Sequence, residues 1–277
     1  MADSGTPHPA RFSRVGTNAE LISQDRAFFG TCALLFVASA AGTIYLCRSM
    51  SGGMAMPGGW TMSMAWMTMP GQSWLAAAAM FIGMWVVMMV AMMLPPLMPT
   101  LWSYRRSIRG WAEVRLSGLT ALAGAGYFFI WSGLGAVAYI LGFVLTAAEM
   151  RWLALARYVP VATGVVLVLA GWFQFTMWKA RRLGRCRDVP TCSLPTYPNP
   201  RSAWRNGLGW GVDCSLCCCG FMVVLLVTGV MNLVAMAMLA AAITIERLVP
   251  KPERAARVAG IAMIAAGAYL MERAMRG

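Results

Sequence analysis

The sequence predicts an all-α fold, a polytopic bundle of about seven transmembrane helices, and three observations carry that prediction. Apolar residues make up 59% of the 277-residue chain and charged residues only 12%, with a mean hydropathy of +0.63. A water-soluble domain carries about 25% charged residues, so this much apolar surface needs lipid to cover it. The apolar residues also fall in runs of about 20 or more, the length that crosses a hydrocarbon core of about 30 Å. Finally, the basic residues behind the net charge of +13 lie in short clusters between uncharged runs. That distribution suits membrane topology and argues against nucleic acid as a partner.

Residues 1–26 contain Gly5, Pro7, Pro9 and Gly16 with little apolar content, and read as a disordered cytoplasmic tail. Residues 27–277 read as a single membrane domain. Its first span is Ala27 to Cys47. Ala38, Ser39 and Ala40 resemble a signal-peptide cleavage site, but the apolar run continues past them and is longer than an ordinary signal core, so a retained span is expected. An extracytoplasmic loop, 49–72, leads to the second span, Ser73 to Leu94, which Pro95, Pro96 and Pro99 are expected to end or kink. Gly118 to Thr146 and Tyr158 to Trp178 follow, then a basic cytoplasmic loop, 179–206, and Ala255 to Met271 closes the series. Between them, Gly207 to Val249 is about twice the length of one span. A break at Thr228 to Asn232, around Gly229, makes it a hairpin and gives seven spans; without the hairpin there are six.

Basic residues test the topology, because cytoplasmic loops hold the excess of Lys and Arg. With the N-terminus inside, 18 basic residues lie on the inner side and only Arg48, Arg151, Arg157, Arg273 and Arg276 on the outer. Glu149, Asp213, Glu246 and Glu272 stand near span ends, where water is expected to reach them. No buried carboxylate relay is therefore expected.

Sulfur is the chemical signal, with 24 Met and 8 Cys in the chain. Loop 49–72 places seven Met between Met50 and Met69, among them the pairs Met54 and Met56, Met62 and Met64, and Met67 and Met69 on Gly- and Pro-rich backbone. Thioether sulfur selects Cu(I) or Ag(I), stays neutral, and forms no disulfide in an oxidising compartment. The other reading is an amphipathic flap on the membrane, with Trp60, Trp66 and Trp74 at the interface and Met as filler. In the second span Met80, Met84, Met88 and Met92 follow one another at four-residue steps and so share a helical face about 18 Å long. Such a stripe is either a path for a soft ion or flexible packing between helices. The glycines of the third and later spans, Gly124, Gly126, Gly133, Gly135 and Gly142 among them, read as packing positions.

Thiols fall at the other side. Cys214, Cys217 and Cys218 are spaced so that a helix presents all three on one face, while Cys219 points elsewhere. The preceding loop adds Cys186 and Cys192 among Arg181, Arg182, Arg185 and Arg187, whose charge favours a thiolate. Zinc fits less well than copper, since the spacing matches no finger or ribbon and the one His, His8, lies in the tail. These thiols can also be small apolar fillers at a helix end, and Cys32 and Cys47, standing alone, are read that way.

The run from Met84 to Pro96, with Pro99 and Tyr104, Arg105 and Arg106, together with Cys214, Cys217 and Cys218 leading into Gly229 to Leu233 and Glu246 to Pro250, resembles a bacterial family of uncharacterised integral membrane proteins thought to bind metal. The likeness covers roughly residues 73–250 and implies a helical membrane fold and a metal ligand set. In that family the loop before the fifth span is a tighter Cys-containing stretch followed by Arg-Ser-Pro. Here Cys186 and Cys192 are separated by Arg-Asp-Val-Pro-Thr. A bacterial inner membrane is the location this implies.

The expected function is soft-metal binding, Cu(I) before zinc, with capture on outer Met and acceptance on inner Cys, with or without transport. A non-transporting copper storage or metalloenzyme assembly subunit and a metal-free scaffold are the alternatives. The expected partners are the lipid bilayer, a copper chaperone or metalloenzyme, and a second copy of the chain. No enzyme is expected, because no Ser/His/Asp or Cys/His arrangement and no phosphate-binding glycine loop is present.

Overall fold

The computed structural model describes residues 18–49, 53–56, 60–63, 73–108, 113–187 and 199–276. Eight helices dominate it: α1 (Asn18–Ser49), α2 (Trp74–Ser107), α3 (Glu113–Arg151), α4 (Leu153–Phe173), α5 (Met177–Arg187), α6 (Pro200–Thr228), α7 (Leu233–Leu248) and α8 (Pro252–Arg276). Between α1 and α2 a short antiparallel hairpin joins β1 (Gly53–Met56) to β2 (Trp60–Ser63), with Met54 opposite Met62.

Local chemistry sets several of the helix starts. Ser73 accepts from the N–H of Ala76 at 3.2 Å and opens α2. Asn199 and Ser202 form a reciprocal capping box before α6, with Pro200 in the first turn, where its missing N–H costs nothing. At the far end of α6, Gly229 adopts φ +104°, a conformation L side chains rarely take, and Asn232 then caps α7 through the N–H of Ala235 at 3.1 Å.

Among the described residues five helices, α1, α2, α3, α6 and α8, are long and apolar enough to cross a membrane, and α4 with α5, bent by 69°, is either a sixth, broken span or a re-entrant loop. The expected break in 207–249 is present at Gly229. The second arm, α7, has 16 residues, or about 24 Å, short of a full hydrocarbon core. It runs back along α6, because Met231 lies at the α1 end of Cys47 while Arg247 reaches Cys186, beside the middle of α6.

Three boundaries differ from expectation. First, α2 continues through Pro95, Pro96 and Pro99 to Ser107. The prolines strip the helical donor from the carbonyls of Ala91, Met92 and Pro95 without ending the helix. Second, the segment read as loop 179–206 is helical at both ends, which puts Cys186 on α5 and Arg201 to Asn206 on α6. Third, α1 begins at Asn18, inside the segment read as a tail; residues 1–17 lie outside the described residues.

Packing is built on close approaches. A Cβ added at Gly207 would overlap the carbonyl of Ala123, so α6 presses directly on the α3 backbone; Gly164 and Gly267, and Gly171 and Gly260, do the same for α4 and α8. Trp85 of α2 fills the gap over Gly135 of α3 and donates its indole N–H to the carbonyl of Trp131 at 2.9 Å. The face of α2 that carries Met84, Met88, Met89, Met92 and Met93 is buried against the neighbouring helices.

Candidate metal centre

Helical spacing places three thiols together. Cys214, Cys217 and Cys218 on α6 are all buried, whereas Cys219 is half-exposed. Cys214 Sγ and Cys218 Sγ stand 3.9 Å apart, one helical turn from each other. Cys217, on the same helix, and Cys186, which α5 delivers from across the α4–α5 bend, lie within electrostatic reach of each other. Four buried thiols from two helices thus lie in one neighbourhood, with Cys214 and Cys218 in contact. Cys192 lies outside the described residues.

Two thiolates bound to one ion at about 2.3 Å each stand no more than about 4.6 Å apart. The Cys214 to Cys218 spacing is within that reach. Among the described residues, no three Cys, His, Asp or Glu side chains converge as a ready-made cage. The pair of Cys214 and Cys218 can offer two sulfurs, a number with which a soft ion is content.

The polar residues around the thiols were not legible from spacing. Tyr127 of α3 donates its hydroxyl to Cys214 Sγ at 3.0 Å in a fully buried position. Arg247, near the end of α7, donates through its two terminal nitrogens to the carbonyl of Pro96 on α2, at 3.1 Å, and to the carbonyl of Cys186 on α5, at 3.3 Å. Its guanidinium lies within electrostatic reach of Cys186, Cys214 and Cys218. Lys179, on α5, pairs with Glu246, on α7, at 2.8 Å, and its ammonium sits 4.5 Å from the centre of the Phe221 ring. This corrects the expectation that Glu246 reaches water: the carboxylate is buried and ion-paired because α7 folds back into the bundle instead of ending at its surface. Glu246 and Arg247 did leave a signal, as two charges closing an apolar run. Tyr127 left none, being one aromatic among many.

A bound thiolate pair carries negative charge that the protein interior cannot solvate, and Arg247 supplies compensating charge at that place. Room is limited. The cavity lined by Leu97, Thr100, Tyr127, Cys186, Trp210 and Arg247 measures about 10 Å³, enough for about one water.

The methionines divide. Met84, Met88 and Met92 are buried on the inner face of α2, and Met80 is 60% exposed on its outer turn. Arg247 binds the carbonyl of Pro96, one turn beyond Met92, and so joins the end of this methionine face to the thiol cluster. Of Met54, Met56 and Met62 only the strand backbone is described; Met64, Met67 and Met69 lie outside the described residues.

A family model described as PpoB2, copper chaperone, matches residues 82–270, a stretch that includes Met84, all four thiols of the cluster, Tyr127 and Arg247. No curated protein and no solved structure matches the chain.

Proposed function

The chain belongs to the PpoB2 copper chaperone family, and on that premise we propose that it is a membrane protein that holds Cu(I) on the buried thiols of Cys214, Cys217, Cys218 and Cys186 and hands it on to a copper-requiring partner. The observation that carries the reading is the buried pair of Cys214 and Cys218, 3.9 Å apart, with Cys217 and Cys186 also buried and the Arg247 guanidinium within electrostatic reach. Thiolate sulfur favours Cu(I). The protein carries out no covalent reaction of its own. The ion is cargo.

The direction and the location follow from charge and sulfur type. The side bearing the excess of Lys and Arg is cytoplasmic in a bacterial inner membrane, which puts the thiols toward the reducing compartment and the methionine-rich loop outside. Ions captured by the loop pairs pass along Met84, Met88 and Met92 by exchange between neutral thioethers. They end on thiolates, the stronger ligands.

A second reading, a non-transporting assembly or storage subunit, is favoured by the small space beside Cys186, about 10 Å³. Whole-cell copper accumulation distinguishes the two. Transport raises it when the protein is expressed, whereas storage raises it only in proportion to the protein present. The thiol centre itself is tested by anaerobic purification and metal analysis of the full chain and of Cys214→Ser/Cys217→Ser/Cys218→Ser. Copper in the first and its loss in the second is the expected result, and equal copper in both rejects the centre.

A further inference from the structure

The structure holds a second sulfur pair, far from the thiol centre. The Cys47 thiol, on the last turns of α1, donates to Met231 Sδ across 3.8 Å, joining residues 184 positions apart. Read from sequence, Cys47 is a lone apolar filler; in the fold it is a buried soft donor facing another soft donor. Met231 is fixed in place by the turn between α6 and α7. Gly229 makes that turn with its positive φ, the N–H of Asn232 closes it on the carbonyl of Gly229 at 3.0 Å, and the Asn232 side chain then caps α7.

The register between α1 and α2 fixes the level of the pair. Phe29 and Trp102 stack with ring centres 5.9 Å apart, and a Cβ at Gly42 would lie 3.2 Å from Val87 Cγ1. The two helices are antiparallel, so both contacts bring Cys47 level with Ile82 to Met84. Cys47 and Met84 belong to the same buried cluster. At the other end of α2, Pro96 is tied through Arg247 to Cys186. Met84, Met88 and Met92 occupy the turns in between.

We propose that Cys47 and Met231 form a Cu(I)-binding station at the α1–α2 loop end of the bundle, with Met84 as its neighbour on α2, where an ion enters the methionine face. The inference rests on the copper reading above and adds a site to it. The sulfurs are spaced for one shared ion, since two donors at about 2.3 Å from a soft metal stand at most about 4.6 Å apart. On binding, Cys47 sulfur bonds to the metal and its thiol proton leaves to water. One thiolate and one thioether give a site that is neutral overall with a monovalent cation. A pair weaker than the four thiols also lets the ion move on.

The test is Cu(I) stoichiometry of the detergent-purified full chain under anaerobic conditions, titrated against bicinchoninate, for the parent, Cys47→Ser, Met231→Leu and the Cys214→Ser/Cys217→Ser/Cys218→Ser variant. Met231→Leu keeps volume and apolarity, so it reports on sulfur even where Cys47→Ser folds poorly. The expected result is one Cu(I) equivalent fewer in both Cys47→Ser and Met231→Leu, with the equivalents held by the inner thiols intact. Retention of the parent stoichiometry by Met231→Leu overturns the station. Should the inner-thiol variant keep all its copper while Met231→Leu loses one equivalent, the thiol centre fails and the station stands.

Discussion

Lys179 and Glu246, 67 residues apart in sequence, form an ion pair of 2.8 Å in which the side chains are only 1% and 3% exposed. The pair fastens α5, the helix that brings Cys186, to α7, the helix that brings Arg247. Desolvating two ions is expensive, and their mutual attraction roughly repays it. Its importance therefore lies in what happens when one partner is lost.

Lys179→Met or Glu246→Leu alone leaves a buried charge without its counter-ion, at a cost of about 3–5 kcal/mol. The double variant, with no charge to compensate, recovers most of that loss. Thermal unfolding of the four proteins in one detergent measures the coupling. Equal destabilisation in the double variant and in the sum of the singles would show that the two residues act independently.

Tyr127→Phe removes one hydroxyl and the 3.0 Å bond to Cys214, with little change in volume. A buried hydrogen bond of this kind contributes about 1 kcal/mol. Cu(I) affinity measured by chelator competition should fall about fivefold, with stoichiometry unchanged.

Arg247→Lys keeps the positive charge and loses the planar fork that reaches Pro96 and Cys186 together. The expected outcome is a thiol cluster detached from α2, seen as a lower melting temperature and faster loss of copper to a chelator. A variant that behaves like the parent would show that charge alone suffices.

Gly207→Ala places a methyl group against the carbonyl of Ala123 and forces α3 and α6 apart. Overpacking of this type costs about 1–3 kcal/mol. Because Tyr127 and Cys214 lie on those two helices, copper affinity should fall along with stability. Gly209→Ala is the control, since its added Cβ meets nothing within 4 Å.

Met88→Leu/Met92→Leu distinguishes a methionine path from methionine packing. Volume is conserved, so stability should change by less than about 1.5 kcal/mol. If thioethers relay the ion, uptake of Cu(I) into the thiol centre should slow while its final stoichiometry stays the same. Unchanged uptake kinetics would reduce these residues to core filler.

Much of this was legible in the chain because helical periodicity is a local property. The grouping of Cys214, Cys217 and Cys218, the breaks around Gly229 and the apolar spans all follow from spacing within one element. What was not legible depends on which helices meet. Nothing local says that Cys186 joins the thiols, that Tyr127 points at Cys214, or that Cys47 finds Met231. The error over Glu246 has the same origin. Its position at the end of an apolar run implies water, and only the return of α7 along α6 turns it into a buried partner for Lys179. The end of α2 was misplaced at its prolines for a different reason, since neighbouring helices can sustain a helix that proline would break in isolation.

The interior around Met88, Met89, Met92 and Met93, each 3% exposed or less, has a consequence for the cell that houses the protein. A sodium or potassium ion travels with its water shell, and side chains packed this closely leave no file of water for it to follow at that level of the bundle. At that level the bundle is therefore closed to a hydrated ion and open only to one that exchanges water for sulfur.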